Sequence, residues 1–178
     1  MSEPFAGPKS AAIEGMSRRA FTVGGASIAA LAAVWWLRDD PVRAGLFEIE
    51  KADDEWRRIL KPAAYRVLRQ HGTERPHSSP LNHEKRTGTF VCAGCDLPLF
   101  ASDTKYDSGT GWPSFYRPLA NAIGTATDRT LFLARTEVHC RRCGGHLGHV
   151  FPDGPPPTGQ RYCINGVALG FVPSLASA

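Results

Sequence analysis

Gly88-Thr89-Phe90-Val91-Cys92-Ala93-Gly94-Cys95 is a short β-like run that ends in a Cys-x-x-Cys knuckle, and it sets the reading of everything beyond Thr87. Similar runs recur at 130–135, 137–140, 149–151 and 161–169. Gly, Pro and Asn/Asp separate them at intervals of roughly ten residues, the pattern of a small all-β domain. A second knuckle, Cys140-Arg141-Arg142-Cys143, follows the first after 44 residues. Two-residue spacing lets both sulfurs of a turn converge on one ion, and Gly94 and Gly144 permit the tight turns. Two knuckles complete a tetrahedral site. Cys92, Cys95, Cys140 and Cys143 are therefore read as ligands of one structural Zn2+, with no position left open for catalysis. A pair of disulfides is the competing account, since an oxidising compartment would favour it.

Upstream of the β-rich part, Trp56, Ile59, Leu60, Ala63, Ala64, Val67 and Leu68 fall at i, i+3, i+4, i+7 spacing, giving one apolar helix face over residues 53–70. Asp53 or Asp54 is the expected N-cap and Gly72 the stop. Pro62 inside the pattern predicts a break into two short helices. Pro76, Ser78, Ser79, Pro80 and Asn82 mark a loop before the first strand. The fold class that follows is mainly β: a small zinc-stapled antiparallel domain with short N-terminal helices, spanning residues 45–178 with its core at about 53–171.

Residues 1–44 read as an address. Ser17-Arg18-Arg19-Ala20-Phe21 precedes an uncharged, Ala- and Gly-rich run over 21–37, and resembles a twin-arginine export signal. Seventeen residues lie at the lower edge of a bilayer span, and Thr22, Gly24, Gly25 and Ser27 keep the run only moderately apolar. Val42-Arg43-Ala44 offers a cut after Ala44. Trp35-Trp36 at a membrane interface would instead suit an uncleaved anchor. The expected location is periplasmic or otherwise extracytoplasmic, reached through the twin-arginine machinery.

The 178 residues are 42% hydrophobic and 21% charged, with a formal net charge of +4. This is ordinary globular usage. Residues 45–178 hold sixteen Lys/Arg against thirteen Asp/Glu, spread along the chain, which argues against a nucleic-acid partner. Five cysteines, all beyond residue 90, leave one after four are assigned to metal.

That fifth is Cys163, in Arg161-Tyr162-Cys163-Ile164-Asn165. In a strand, Arg161, Cys163 and Asn165 share one face and Tyr162 and Ile164 the other. A neighbouring guanidinium favours thiolate, so Arg161 is expected to lower the pKa of Cys163 and prepare a nucleophile. A buried, inert thiol is the bland account. His146-Leu147-Gly148-His149-Val150-Phe151-Pro152-Asp153 adds two imidazoles and a carboxylate, the material of acid–base chemistry with Asp153 fixing a tautomer. Strict alternation would send His146 and His149 to opposite faces, and convergence would need a bend at Gly148. The loop Gly109-Thr110-Gly111-Trp112-Pro113-Ser114-Phe115 offers Trp112, with Phe115 nearby, as an apolar wall for a methyl or thioether group. Simple aromatic packing is the alternative.

Taken together, residues 53–171 closely resemble the B-type peptide-methionine sulfoxide reductases, zinc-bearing enzymes acting on the R epimer. The resemblance rests on Gly72-Thr73-Glu74, both knuckles, Gly111-Trp112-Pro113-Ser114-Phe115, His146-Leu147-Gly148-His149-Val150-Phe151, Asp153-Gly154-Pro155 and Arg161-Tyr162-Cys163-Ile164-Asn165. It implies a small, partly barrel-like β fold with Cys163 as nucleophile. It also implies that Trp112 packs on the sulfoxide methyl, and that His146, His149, Asp153, Arg161 and Asn165 surround the reacting centre. An imidazole, His149 foremost, would protonate the sulfoxide oxygen while the Cys163 thiolate attacks sulfur, leaving a sulfenic acid.

Many relatives carry a recycling cysteine where this chain has Thr110. An external, thioredoxin-like thiol is therefore the expected reductant, methionine-sulfoxide-containing proteins or peptides are the expected substrates, and the enzyme is expected to be a monomer. A zinc-ribbon-like binding module or a periplasmic metal carrier explains the knuckles alone. Neither employs Cys163, His149 or Asp153.

Overall fold

The computed structural model describes residues 46–129 and 134–174. The candidate export segment and its cut lie outside the described residues, as do residues 130–133 of the run expected at 130–135. Among the described residues no helix is long and apolar enough to cross a membrane.

Helix α1 (Asp53–Ile59) and helix α2 (Pro62–Gln70) replace one longer helix, as Pro62 predicts. Pro62 sits in the first turn of α2, where its missing N–H costs nothing. The N-cap of α1 is Ala52 rather than Asp53 or Asp54. Both aspartates lie in the first turn instead, favourable beside the positive end of the helix dipole. The Asp53 carboxylate also accepts from the Tyr65 hydroxyl and from Arg57 at 2.7 Å, which ties α1 to α2. Trp56, Ala64, Tyr65, Val67 and Leu68 are buried. Burying a large apolar side chain of this kind contributes roughly 1.5–3 kcal/mol.

Strands β1 (Gly88–Cys92) and β2 (Pro98–Ala101) form a hairpin around the first knuckle. Strands β3 (Lys105–Tyr106) and β4 (Ser114–Phe115) flank the Trp112 loop. Strands β5 (Ile123–Asp128), β6 (Arg135–Cys140), β7 (His146–Phe151) and β8 (Arg161–Ile164) follow, and β9 (Leu169–Pro173) is the last strand among the described residues. The ladders make a three-stranded sheet, β2-β1-β9, and a six-stranded sheet, β3-β4-β8-β7-β6-β5. Every pairing is antiparallel.

The core lies where one face of each sheet meets the helices. Phe115 stacks on Phe100 at 4.3 Å and meets Phe90 edge-on at 4.9 Å. Val138, Leu147 and Ile164 are fully buried beside them. With these residues holding the six-stranded sheet on its inner face, the residues alternating with them on β4, β7 and β8 point the other way, and there the chemistry collects.

Candidate active site

Strand β8 lies between β4 and β7, and Cys163 is directly opposite Ser114 on one side and His149 on the other. Residues opposite each other in antiparallel strands present their side chains on the same face. His149 is in turn opposite Glu137 on β6. A row Glu137, His149, Cys163, Ser114 therefore crosses four strands on one face.

His146 joins this face through an irregularity. Val138 pairs with Gly148, but the next residue of β6, His139, pairs with His146, so Leu147 is an extra residue in β7. One inserted residue reverses the alternation. The expected bend at Gly148 is thus a bulge at Leu147, and it leaves the His146 and His149 rings 5.4 Å apart. Gly148 has a different duty. A β-carbon there would lie 2.1 Å from the Cys163 carbonyl oxygen, so only glycine lets β7 and β8 pair beside the thiol.

Each imidazole has a carboxylate, and neither is Asp153. His149 Nε2 lies 2.8 Å from Asp128 Oδ2, which also accepts from Arg135 Nη2 at 2.6 Å. His146 Nδ1 lies 2.8 Å from Glu137 Oε1, and His71 Nδ1 lies 3.2 Å from the same oxygen. Asp153 instead grips Arg161, accepting from Nε at 2.9 Å and Nη2 at 2.8 Å. The expectation that Asp153 fixes a histidine tautomer is corrected: it fixes the guanidinium, which also lies over Phe151 at 4.5 Å.

Burial acts on Cys163 and His149 in opposite senses. It pushes the Cys163 thiol above its ordinary pKa, because the charged thiolate loses water. The Thr110 hydroxyl, 3.9 Å from Sγ, and the Arg161 cation pull the thiol down but do not prevail. Arg161 thus acts in the expected direction while the net displacement is upward. Burial also pushes His149 below its ordinary pKa, opposed by the hydrogen bond to Asp128.

A pocket of about 160 Å³ opens over this row, lined by Thr73, Trp112, Arg135, Gly148, His149, Phe151, Cys163 and Asn165. It is smaller than the ~300–1,000 Å³ of sites that engulf a whole small molecule, and suits the end of one side chain. Trp112 forms part of the wall, as expected. Its Nε1 donates to the Glu74 carbonyl at 3.1 Å. Glu74 N–H donates to Asn165 Oδ1 at 2.9 Å, and the Glu74 carboxylate accepts from Gly166 and Val167 N–H. Asn165 therefore positions Trp112 through Glu74. Phe115 is not in the wall: one residue after Ser114, it falls on the opposite face and is wholly buried in the core. A larger groove of about 450 Å³ between the helices and β9 contains no cysteine, histidine or carboxylate.

The two knuckles converge. The ligand atoms of Cys92, Cys95, Cys140 and Cys143 lie within 4.8 Å of one another, with Sγ pairs at 3.7 Å (Cys92, Cys143) and 3.5 Å (Cys95, Cys140). All five cysteines are free thiols, so the disulfide account is set aside. A tetrahedron with metal–sulfur bonds of about 2.3 Å has edges of about 3.8 Å, so the cluster fits a metal ion with small adjustment.

Residues 60–173 match the SelR domain family. The peptide methionine sulfoxide reductase MsrB of Agrobacterium fabrum is 53% identical over 127 residues, covering 71% of this chain and 94% of that protein. The MsrB of a Pseudomonas putida strain is 57% identical over 127 residues, covering 71% and 96%. That of Methanosarcina mazei is 55% identical over 125 residues, covering 70% and 89%. The chain belongs to the MsrB family of peptide methionine sulfoxide reductases. As in the family resemblance read from its motifs, Cys163, His149, Asn165 and Trp112 line one pocket in this MsrB-family chain. Asp128, Arg135, Glu137 and His71 escaped the sequence reading. Asp128 and Arg135 are register partners at the turn end of the β5–β6 hairpin, and β5 was not among the β-like runs read from the sequence.

Proposed function

We propose that this chain reduces methionine-R-sulfoxide in proteins and peptides to methionine, with Cys163 as the nucleophile. The observation that carries the reading is the placement of Cys163 opposite His149 in a pocket walled by Trp112. The R preference comes from the family. The small pocket supports a substrate presented as a side chain on a polypeptide.

The pKa directions support one placement of the proton. With the thiol raised and the imidazole lowered, the resting pair near neutral pH is Cys163 thiol and neutral His149. A carboxylate only accepts, so Nε2 carries the hydrogen toward Asp128 and Nδ1 is left as a base. His149 takes the thiol proton at Nδ1 and returns it to the sulfoxide oxygen as Sγ attacks the sulfoxide sulfur. The hydroxyl then passes from the substrate sulfur to Sγ, the S–O and Sγ–S bonds break as the Sγ–O bond forms, and the substrate sulfur gains two electrons. Oxygen and the former thiol hydrogen remain on Sγ as a sulfenic acid. No outside proton is consumed in this half. An external dithiol, thioredoxin-like in chemistry, then attacks the sulfenic sulfur, releases water and resolves the mixed disulfide with its second thiol. Thr110 offers no sulfur for that role.

The four clustered thiols suit Zn2+. Held by Cys92, Cys95, Cys140 and Cys143, the ion would join the β1–β2 turn to the β6–β7 turn and supply folding energy rather than chemistry. We also propose export through the twin-arginine route, supported by Ser17-Arg18-Arg19-Ala20-Phe21 and the run after it, and a monomeric enzyme. Fractionating cells that express the full chain, with and without Arg18→Lys and Arg19→Lys, tests this: the double change should retain the protein in the cytoplasm.

The function is tested by giving the reduced protein separately the R and S epimers of a blocked methionine sulfoxide, without reductant. About one equivalent of methionine from R and none from S is expected. Equal turnover of both, or of neither, contradicts the reading.

A further inference from the structure

A second convergence of metal-ligating atoms stands apart from the four thiols. His71 Nδ1, Glu137 Oε1 and His146 Nδ1 lie within 4.8 Å of one another. They come from three elements: His71 caps the C-terminus of α2, Glu137 is on β6 and His146 on β7. The two nitrogen–oxygen separations are 3.2 Å and 2.8 Å. A tetrahedral ion with bonds of about 2.0–2.1 Å to imidazole nitrogen and carboxylate oxygen needs edges of about 3.3 Å. The two nitrogen–oxygen pairs therefore need to part by only a few tenths of an ångström, and the two nitrogens lie within 4.8 Å of each other.

The three differ in exposure as an exchangeable site requires. The side chains of Glu137 and His146 are 9% and 3% exposed, and that of His71 is 45% exposed. The floor is fixed and one wall is open to solvent. His71 is also placed by an uncommon backbone. Its φ is 53°, the left-handed C-cap conformation where glycine or asparagine is usual. A β-carbon is carried there, and its imidazole is turned onto a carboxylate that already serves another imidazole, with the two rings 5.1 Å apart. Glu137 is held well below the ordinary carboxyl range by these neighbours, so the anion is ready.

We propose that His71, Glu137 and His146 form a second, exchangeable site for a divalent ion that favours imidazole and carboxylate ligands, Zn2+ foremost. On binding, each Nδ1 gives its hydrogen to solvent and its Nε2 takes one up, so the net proton count is unchanged. Three coordinate bonds replace two hydrogen bonds, and at least one coordination position stays open on the His71 side. The ion would then sit behind the His146 ring, 5.4 Å from that of His149. A dication there disfavours a proton on His149 and slows the transfer assigned above. That consequence rests on the proposed reaction; the binding itself does not.

The test uses the full chain with its four-thiol cluster already filled with zinc, kept reduced, and titrated with Co2+. The expected result is one further equivalent, with weak visible absorption and no sulfur-to-cobalt charge-transfer band. His71→Asn accepts the same left-handed backbone and should weaken this binding at least about tenfold, while Cys163→Ser leaves it unchanged. No further equivalent, a band from sulfur, or undiminished binding in both His71→Asn and Glu137→Gln overturns the site. Zinc at the filling concentration should slow single turnover of the unaltered chain and spare His71→Asn. Equal inhibition of both overturns the link to His149.

Discussion

The molecule places cysteine in two kinds of surroundings, and they differ in what stands next to each sulfur. In the four-thiol cluster each sulfur faces other sulfurs, at 3.7 Å for Cys92 and Cys143 and 3.5 Å for Cys95 and Cys140, between two knuckle turns. At Cys163 the sulfur faces the Thr110 hydroxyl at 3.9 Å, with Arg161 and His149 on neighbouring positions. Thiols gathered together invite a cation and lose their reactivity to it. A thiol held alone, beside a base and a guanidinium, remains a nucleophile. On the proposed function, the same residue serves stability in one region and chemistry in the other.

The strongest way to break this contrast is to exchange the outcomes. Cys95→Ser or Cys140→Ser should release the metal and unfold the domain, since structural zinc contributes about 10–16 kcal/mol against a typical folding stability of about 5–15 kcal/mol. Thermal unfolding and metal analysis check it. Cys163→Ser should leave metal content and melting temperature unchanged while abolishing sulfoxide turnover.

Next in size, His149→Asn should lower the single-turnover rate by about 10²–10⁴-fold, the usual worth of a positioned acid–base group. The pH profile sharpens the same point. A neutral thiol–imidazole pair predicts a plateau whose acid limb lies below 6.5, the ordinary histidine value, and whose alkaline limb lies above 9.0, the ordinary thiol value. Activity confined to a narrow bell between those values would contradict both shifts.

Thr110→Cys tests whether the reacting sulfur is alone only because of its neighbour. It should convert the sulfenic acid into a disulfide with Cys163 after one turnover, a loss of two hydrogens visible by mass. The smallest expected effect is that of Arg161→Met. Removing the cation raises the thiol pKa further, so iodoacetamide should alkylate Cys163 several-fold more slowly at pH 8.

Much of this was legible in the sequence because it is written locally. Two-residue cysteine spacing declares a metal knuckle wherever it folds, and Pro62 divides a helix by its own chemistry. The carboxylates were not legible. Asp128 and Glu137 reach their histidines across strands, by register rather than by spacing. The bulge at Leu147 was hidden as well, since it depends on how β6 and β7 pair, and nothing in Leu147 itself announces it. Phe115 shows the converse error. Proximity to Trp112 in sequence suggested a shared wall, but alternation in β4 sends it to the core.

The most direct measurement follows the oxygen. Reduced protein is given one equivalent of the R epimer carrying an 18O label in the sulfoxide, and Cys163 is trapped and located by mass. The account predicts that the heavy oxygen is carried on Cys163 and on none of Cys92, Cys95, Cys140 or Cys143. Methionine formed with the label in water and Cys163 unmodified, or with the label on a knuckle cysteine, would contradict it.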